Sequence, residues 1–335
     1  MADADGDILI DSKVIIVGGG PAGSTCAWKL KQSNVPAILL DKKPFPRSKV
    51  CAGWITPGVI EDLHIRRDEY PYHMLVFRRL NYYFYGCKIP VRTKQFSIRR
   101  FEFDDWLIER SGVKVIEHNV KQIRKEGKHY VIDGNYRCEY LVGAGGTNCC
   151  VYRTFFRPVN PRKEVNKIIA IEEEFPYDYS DRECHLWFFD NKLPGYAWYV
   201  PKGNGYLNVG VGGKYLKMKQ RGQNIYEHWD RLVEKLTDLG LVQPRRFKPK
   251  GCRYFLRDKR ETVQIDHAFV IGDAASLATI DMGEGIGAAV RSGILAARAI
   301  ATGQFYSTQT INRYSFKSIL LPYKMGVKAQ VGIEY

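Results

Sequence analysis

Two segments near the start of the chain have the hydrophobic pattern of buried parallel strands. Residues 14–17 and 37–40 are short, continuous aliphatic runs, as expected for strands that are covered on both faces. Between these runs, apolar residues recur at helical spacing, at Ala22, Cys26, Ala27 and Leu30. The pattern therefore predicts a strand–helix–strand unit at this end of the chain.

The turn between the first strand and the helix is rich in glycine. Gly18, Gly20 and Gly23 follow the spacing G-x-G-x-x-G, and Asp41 ends the second strand. Gly18 allows the tight turn, Gly20 lets a diphosphate approach the backbone, and Gly23 lets helix and strand pack closely. The helix N-terminus favours phosphate, and Asp41 can accept hydrogen bonds from a ribose. We predict a dinucleotide site that also includes Pro21, Ala22 and Lys42; a glycine turn without a ligand is the alternative.

A second strand–turn–helix pattern lies far downstream. Residues 268–271 form an apolar run that leads into Gly272-Asp273, and a helix begins after Gly283 and Gly285, at Ile286. The apolar face of this helix ends near Gly303, a typical helix stop. By itself Asp273 fits a simple helix cap equally well. Together with the first unit, this pattern favours a second part of the same site.

The middle of the chain contains strands with alternating aromatic residues. In residues 194–201, Tyr196 and Trp198 share one strand face, whereas Ala197 and Tyr199 share the other. Residues 74–84 are similarly rich in aromatic and β-branched side chains. Alternating aromatic residues usually form the core of a sheet, but they can also form the wall of an apolar pocket.

Composition restricts the class of protein. The 335 residues contain 45% hydrophobic and 26% charged residues, and no apolar run approaches the length of a membrane span. The eight cysteines include no C-x-x-C pair, so we predict no metal site and expect reduced thiols. The first residues are acidic, unlike a signal peptide. We expect a soluble, cytoplasmic protein of about two domains.

The net charge of +15 indicates an anionic partner. A nucleic acid is one such partner, but the basic clusters follow no known nucleic-acid-binding pattern, and we do not expect this function. One dinucleotide carries too few phosphate charges to account for the excess. An anionic membrane surface, to which the protein would bind peripherally, or an acidic electron-donor protein is the better candidate.

The glycine unit and the Gly272-Asp273 segment together resemble the FAD-binding fold of the para-hydroxybenzoate hydroxylase and geranylgeranyl reductase superfamily. This resemblance implies FAD as cofactor, with Asp273 on the ribityl chain and the helix at Ile286 directed at the flavin. It also implies cofactor contacts from Arg100, in a stretch similar to R-x-x-F-D-x-x-L, and from Val120. Ala144-Gly145 stands where the hydroxylases have Ala-Asp, which leaves open whether NAD(P)H or a protein donates electrons.

Two further stretches resemble the geranylgeranyl reductase branch. Residues 46–53 are similar to P-R-x-K-x-C-G-G, which implies that Arg47, Cys51, Ala52 and Gly53 lie along the flavin. Cys51 then either donates a proton or is simply small enough to approach the ring. The stretch 194–201 is similar to Y-x-W-x-F-P, with Val200 in place of Phe, which implies substrate contacts from Tyr196, Trp198 and Pro201.

The resemblance implies an interleaved, mixed α/β architecture. Residues 1–62, 98–152 and 262–303 are expected to form a Rossmann-like FAD-binding domain. Residues 63–97 and 153–261 are expected to form a mainly antiparallel substrate domain, and residues 304–335 a helical tail. The implied function is hydride transfer from reduced flavin to a C=C bond of a prenyl lipid or another apolar substrate. The alternatives are a flavin-dependent monooxygenase or halogenase-like enzyme, and an electron-transfer flavoprotein without bond chemistry of its own.

Overall fold

The computed structural model describes residues 9–66, 69–258 and 262–320. These residues form two eight-stranded sheets. Strands of sheet one come from residues 10–41, 114–143 and 264–270, and strands of sheet two from residues 54–97 and 167–255. The two sheets therefore alternate along the chain, and we keep the division into two domains as a proposal.

Sheet one has a parallel centre, in the order β15-β16-β9-β1-β2-β6, with the antiparallel pair β7 and β8 joined to β9. Its strands are β1 Ile10–Val17, β2 Ala37–Asp41, β6 Lys114–Glu117, β7 Ile123–Glu126, β8 His129–Ile132, β9 Tyr136–Gly143, β15 Gln264–Ile265 and β16 Ala268–Val270. Residues 14–17 are buried, as the apolar run predicts, because the central strands are covered on both faces.

Sheet two is mainly antiparallel, in the order β14-β10-β13-β12-β11-β4-β5-β3, and only β11 and β4 run parallel. Its strands are β3 Trp54–Ile55, β4 Leu75–Phe84, β5 Cys87–Ser97, β10 Lys167–Pro176, β11 Cys184–Phe188, β12 Gly195–Lys202, β13 Tyr206–Lys214 and β14 Lys250–Phe255. Strand β3 lies within the predicted first FAD segment, 1–62, yet it pairs with β5. Sheet two therefore begins earlier in the chain than the sequence suggested.

The helices are α1 Pro21–Gln32, α2 Pro57–Asp62, α3 Arg100–Ser111, α4 Tyr215–Gln220, α5 Ile225–Asp238, α6 Ile286–Thr302 and α7 Phe316–Leu320. Helix α1 packs against α3 and α6 beside sheet one. The apolar face of α5 covers one face of sheet two, where Trp229 and Leu232 join Tyr199 and Val209 in a single core cluster. The opposite face of sheet two, with Trp198, remains available to a cavity.

The predicted mixed α/β fold class, a Rossmann-like unit with an antiparallel sheet, is confirmed. The prediction of a helical tail at 304–335 requires correction, because residues 304–315 form turns and irregular segments and helix begins only at Phe316. The rest of that tail lies outside the described residues. Within the parts of the chain that the structure describes, no helix is both long and apolar enough to cross a membrane.

Candidate active site

A single cavity of about 2050 Å³ is lined by residues of both sheets. Ligand pockets commonly measure about 300–1,000 Å³, so this cavity has room for a dinucleotide and a second molecule. It collects most of the predicted cofactor residues: Gly18, Gly20, Pro21, Ala22, Asp41, Lys42, Arg47, Cys51, Ala52, Arg100, Val120, Ala144, Gly145, Asp273, Gly283, Gly285 and Ile286. Tyr196 and Trp198 line it as well.

Four predicted residues lie outside the cavity lining, among the described residues: Gly23, Gly53, Gly272 and Pro201. Gly272 lies beneath α6, where its N–H donates to Ser292 Oγ at 2.9 Å. The Pro201 carbonyl accepts a hydrogen bond from Ser97 Oγ at 2.6 Å, within sheet two. Side chains alternate between the two faces of β12, and Pro201 is three residues from Trp198. Pro201 therefore lies on the face that is turned away from the cavity. The predicted substrate contact from Pro201 is therefore not supported by its position.

The three glycines of the turn have different surroundings. Gly18 has φ of +113°, and a Cβ there would lie 2.5 Å from the Ala144 carbonyl carbon. A Cβ on Gly23 would overlap the Gly18 carbonyl oxygen and lie 3.1 Å from Ala144 Cβ. A Cβ on Gly20 would have no atom within 4 Å, and no side chain caps α1 there. Gly18 and Gly23 are thus required by packing, whereas Gly20 faces open space beside a helix N-terminus, as a phosphate cradle requires.

Asp41 is buried at the end of β2 and accepts three hydrogen bonds. Its Oδ2 accepts from the Gly19 N–H at 2.7 Å and from Arg47 Nη2 at 3.1 Å, and its Oδ1 accepts from the Lys43 N–H at 3.1 Å. A carboxylate has about four acceptor positions, so one remains for a ribose hydroxyl. The buried Nε of Arg47 has no hydrogen-bond partner among the described residues. This donor beside the cavity is suited to an anionic ligand.

The loop at Cys51 is held from beneath by two buried ionisable side chains of sheet two. The Cys51 N–H donates to Glu172 Oε1 at 2.5 Å, and Lys202 Nζ donates to the Ala52 carbonyl. Gly53 has φ of +62°, and a Cβ there would overlap the backbone carbonyl oxygen of Ile98. Gly53 is therefore required by its positive φ and by the close approach of the Ile98 backbone. Because the two sheets meet here, the position of Cys51 depends on both.

Burial shifts the pKa of Glu172 and that of Lys202 in opposite directions. It raises the pKa of Glu172 to about 7, against the opposing effects of the Cys51 N–H and Lys202. Burial also lowers the pKa of Lys202. Sequence reasoning missed both residues. The sequence does not single out Glu172, because it is the first of three consecutive glutamates, 172–174, that follow the apolar run 168–171 in β10.

Arg100, the predicted cofactor contact on α3, is tied to an acid of its own helix. Its Nε and Nη2 donate to the two carboxylate oxygens of Asp104, each at 2.7 Å. Asp104 is fully buried, so this bidentate pair fixes the guanidinium at the edge of the cavity. A cofactor contact from Arg100 would use Nη1 or the second N–H of Nη2.

A second carboxyl, also missed from sequence, lies at the start of α6. Glu284 lines the cavity, and its Oε1 accepts a hydrogen bond from the Gly287 N–H at 2.6 Å. Burial raises the pKa of Glu284 to about 7, although the hydrogen bond from the Gly287 N–H favours the carboxylate and lowers the pKa. The N-terminus of α6 is thus directed at the cavity next to Asp273. One of its free N–H groups, that of Gly287, already donates to Glu284 and is not available to a ligand.

The aromatic wall follows the alternation predicted for β12. Tyr196 and Trp198 face the cavity, with ring centroids 5.8 Å apart, and Phe188 continues the series 5.1 Å from Tyr196. The Tyr196 hydroxyl donates to the Met282 carbonyl at 2.6 Å, which ties sheet two to the loop before α6. Trp198 Nε1 donates to Asn208 Oδ1 at 2.7 Å. These bonds satisfy the polar atoms of an otherwise apolar surface.

A group of potential metal ligands that the sequence did not predict lies away from this cavity. Ligand atoms of Asp181, Glu183 and His185 lie within 4.8 Å of one another. Each already has protein partners, because Asn81 Nδ2 donates to Glu183 at 2.7 Å and His185 contacts Asp181 at 2.9 Å. These contacts explain the cluster without an ion.

Comparisons with known proteins give a consistent picture. The NAD(P)-binding Rossmann-like domain family matches residues 16–74. An uncharacterized protein of Methanosarcina barkeri is 33% identical over 304 residues, covering 86% of this chain and 74% of that protein. Digeranylgeranylglycerophospholipid reductase 1 of Methanopyrus kandleri is 29% identical over 215 residues, covering 59% of this chain and 57% of that protein.

The fold also has a solved counterpart. A geranylgeranyl bacteriochlorophyll reductase-like protein from Thermoplasma acidophilum superimposes with a TM-score of 0.76 and 19% identity, covering 88% of this chain and 79% of that one. At this identity the likeness establishes the shared fold.

Proposed function

This chain belongs to the geranylgeranyl reductase-like family of FAD-dependent oxidoreductases, and we propose that it reduces carbon–carbon double bonds of a prenyl lipid. The observation that carries this proposal is the continuity of one cavity, which runs from the glycine turn at Gly20 to the aromatic wall at Tyr196 and Trp198. The relative from Methanopyrus kandleri is named as a reductase of a digeranylgeranyl lipid, and the proposal transfers that chemical class of substrate to this chain.

The residues at the glycine-turn end of the cavity fit FAD. Gly20 leaves space for the diphosphate, and the unpartnered Nε of Arg47 offers it a donor. Asp41 and Val120 line the part of the cavity where the resemblance places ribose and adenine. When bound and reduced, FAD supplies a hydride, that is, two electrons and one proton.

The opposite end of the cavity suits an apolar chain. Phe84, Phe188, Tyr196 and Trp198 present rings to it, and Ile89 and Val91 add aliphatic surface from β5. Such a wall favours hydrocarbon at about 25 cal/mol per Å² of buried apolar area. In the proposed reaction these side chains orient the double bond and exclude water.

Anaerobic turnover tests the proposal. FAD-loaded protein is reduced with dithionite and mixed with digeranylgeranylglycerophospholipid in anionic vesicles, because the charge of +15 favours an anionic surface. Mass spectrometry should show addition of one H₂ per reduced double bond. Lipid that remains unchanged would contradict the proposal, and so would incorporation of labelled oxygen in air, which indicates a monooxygenase. Flavin reduction by NADPH, NADH or a reduced ferredoxin, measured separately, distinguishes nicotinamide from protein donors.

A matched pair of variants tests the location of the substrate. Ile89 and Val76 are exposed aliphatic residues of the same β-hairpin, 48% and 45% exposed, but only Ile89 lines the cavity. Ile89→Asp should raise the KM for the lipid about tenfold or more, because the bound lipid would have to desolvate the new carboxylate. Val76→Asp should leave lipid reduction at the wild-type level. Equal effects of the two substitutions would place the substrate elsewhere.

A further inference from the structure

Glu172 lies between the two elements that the proposed function places against flavin and substrate. Its carboxylate binds the amide of Cys51, and its Cβ lies 2.8 Å from the position of a Cβ on Gly210, the residue beneath the indole of Trp198. Glu172 is only 5% exposed, yet it is part of the cavity lining. A buried carboxyl in this place has no ion-pair partner within 4 Å among the described residues, so a structural salt bridge does not explain it.

We propose that Glu172 is the proton donor that completes reduction of the double bond, an inference that rests on the proposed function. The π bond of the substrate breaks, one carbon receives the hydride supplied by reduced FAD, and the other carbon receives the proton of the Glu172 carboxyl. Two C–H bonds form, FAD is left oxidised, and Glu172 is left as a carboxylate that takes up a proton from solvent through the cavity. The external electron donor then reduces FAD again.

The surroundings of Glu172 keep the proton available at neutral pH. Lys202 faces it from β12 and favours the carboxylate, whereas Glu174, on the same strand, favours the acid. The Cys51 N–H, through its hydrogen bond, and the nearby Asn208 amide, to a smaller extent, favour the carboxylate that remains after proton transfer. The thiol of Cys252 faces it from β14. Because burial outweighs the stabilising groups, the pKa of Glu172 is about 7, which suits a general acid.

Two other acidic groups of the cavity, Tyr196 and Glu284, are less suited to this role. The Tyr196 hydroxyl donates its proton to the Met282 carbonyl, and burial raises its pKa far above neutrality. Glu284 has a pKa similar to that of Glu172, but its carboxylate accepts from the first amides of α6. Glu284 is thus engaged at the N-terminus of α6. Within the described residues it makes no hydrogen bond to the Cys51 loop.

The first test needs no substrate. In FAD-loaded protein with isotope-labelled glutamate side chains, the carboxyl resonance of Glu172 should titrate with a midpoint near pH 7. Glu172→Gln should remove this resonance. Glu284→Gln should instead remove the resonance of Glu284, whose pKa is also raised to about 7. Glu173→Gln is the matched control, because Glu173 is the next residue of β10 and its side chain binds Arg245 on the opposite face. A Glu172 midpoint near that of an ordinary glutamate would overturn the proposal.

The second test follows lipid reduction in a single anaerobic turnover. Glu172→Gln retains an acceptor for the Cys51 N–H but has no transferable proton, so the rate of lipid reduction should fall about a hundredfold or more at full FAD occupancy. Glu173→Gln should match the wild type. The wild-type rate should decrease as the pH rises through about 7, because the donor loses its proton.

The outcomes separate this inference from the proposed function. If the wild type fails to reduce the lipid, the proposed function is wrong, whatever the titration of Glu172. If the wild type reduces the lipid but Glu172→Gln is equally fast, or the pH profile is flat through neutrality, Glu172 is not the donor. Should Glu172→Gln lose FAD, Glu172→Asp decides, since a shorter carboxyl retains the pH dependence only if this side chain supplies the proton.

Discussion

The indole of Trp198 lies over Gly210 on the neighbouring strand, in the space that a side chain at position 210 would need. A Cβ on Gly210 would lie 2.5 Å from Trp198 Cε2. The two residues are paired in the register of β12 and β13. The glycine of the G-x-G sequence in β13 therefore allows the tryptophan to lie flat on the sheet, where it forms part of the cavity wall.

Gly210→Ala should lower the free energy of unfolding by about 1–3 kcal/mol, because the methyl group forces the indole out of its position. Urea denaturation measures this change, and quenching of tryptophan fluorescence by acrylamide should increase. Gly251→Ala, on β14, is the control, since its nearest neighbour would be Ile171 Cγ2 at 3.5 Å, an ordinary contact. Equal stability of the two variants would show that Trp198 can move without cost.

Substitutions at Gly20 and Gly23 should separate cofactor binding from folding. Gly20→Ala should leave the stability of the FAD-free protein within about 1 kcal/mol of the wild type, because the new methyl group meets no protein atom and only the N-cap preference for glycine is lost. It should weaken FAD about tenfold or more, which corresponds to about 1.4 kcal/mol, by occupying the space of the diphosphate. Gly23→Ala should destabilise the FAD-free protein through its overlap with the Gly18 carbonyl. Urea denaturation measures the stability, and FAD titration measures the affinity. Unchanged FAD affinity in Gly20→Ala would show that the diphosphate does not bind beside Gly20.

Glu172 should make the stability of the FAD-free protein depend on pH. Its pKa is raised from 4.5 in the unfolded chain to about 7 in the folded protein, so the folded state retains a proton that the unfolded state has lost. Stability from this proton is therefore present below about pH 4.5 and is lost as the pH rises through about 7. The difference between these pKa values corresponds to a loss of about 3 kcal/mol of stability.

Urea denaturation at about pH 5 and about pH 8 measures this effect. Glu172→Gln should reduce the decrease in stability between the two pH values, although Glu284 contributes a slope of the same sign. Glu173→Gln should retain the wild-type decrease. The same decrease in all three proteins would show that Glu172 titrates normally in the fold.

The local features of this protein were predictable from its sequence. The glycine spacing at 18–23 and the aliphatic runs around it specify the strand–turn–helix unit. The glycines determine the backbone of the turn, and the spacing of the apolar residues distinguishes strand from helix. The alternation at 196–199 likewise placed Tyr196 and Trp198 on one face of β12. These patterns act over a few residues, so a single segment carries the whole signal.

The contacts that complete the candidate site were decided by the tertiary structure. Cys51 meets Glu172 across 121 residues, and Ala52 meets Lys202 across 150, because strands β10 and β12 of sheet two pack beneath the loop that follows β2. The same packing places Gly272 under α6, whereas the orientation of Pro201 already follows from the alternation of side chains along β12. The sequence alone determined which segments become strands, helices and glycine turns. Which buried charges face one another depended on how two interleaved sheets pack, and no local period encodes that geometry.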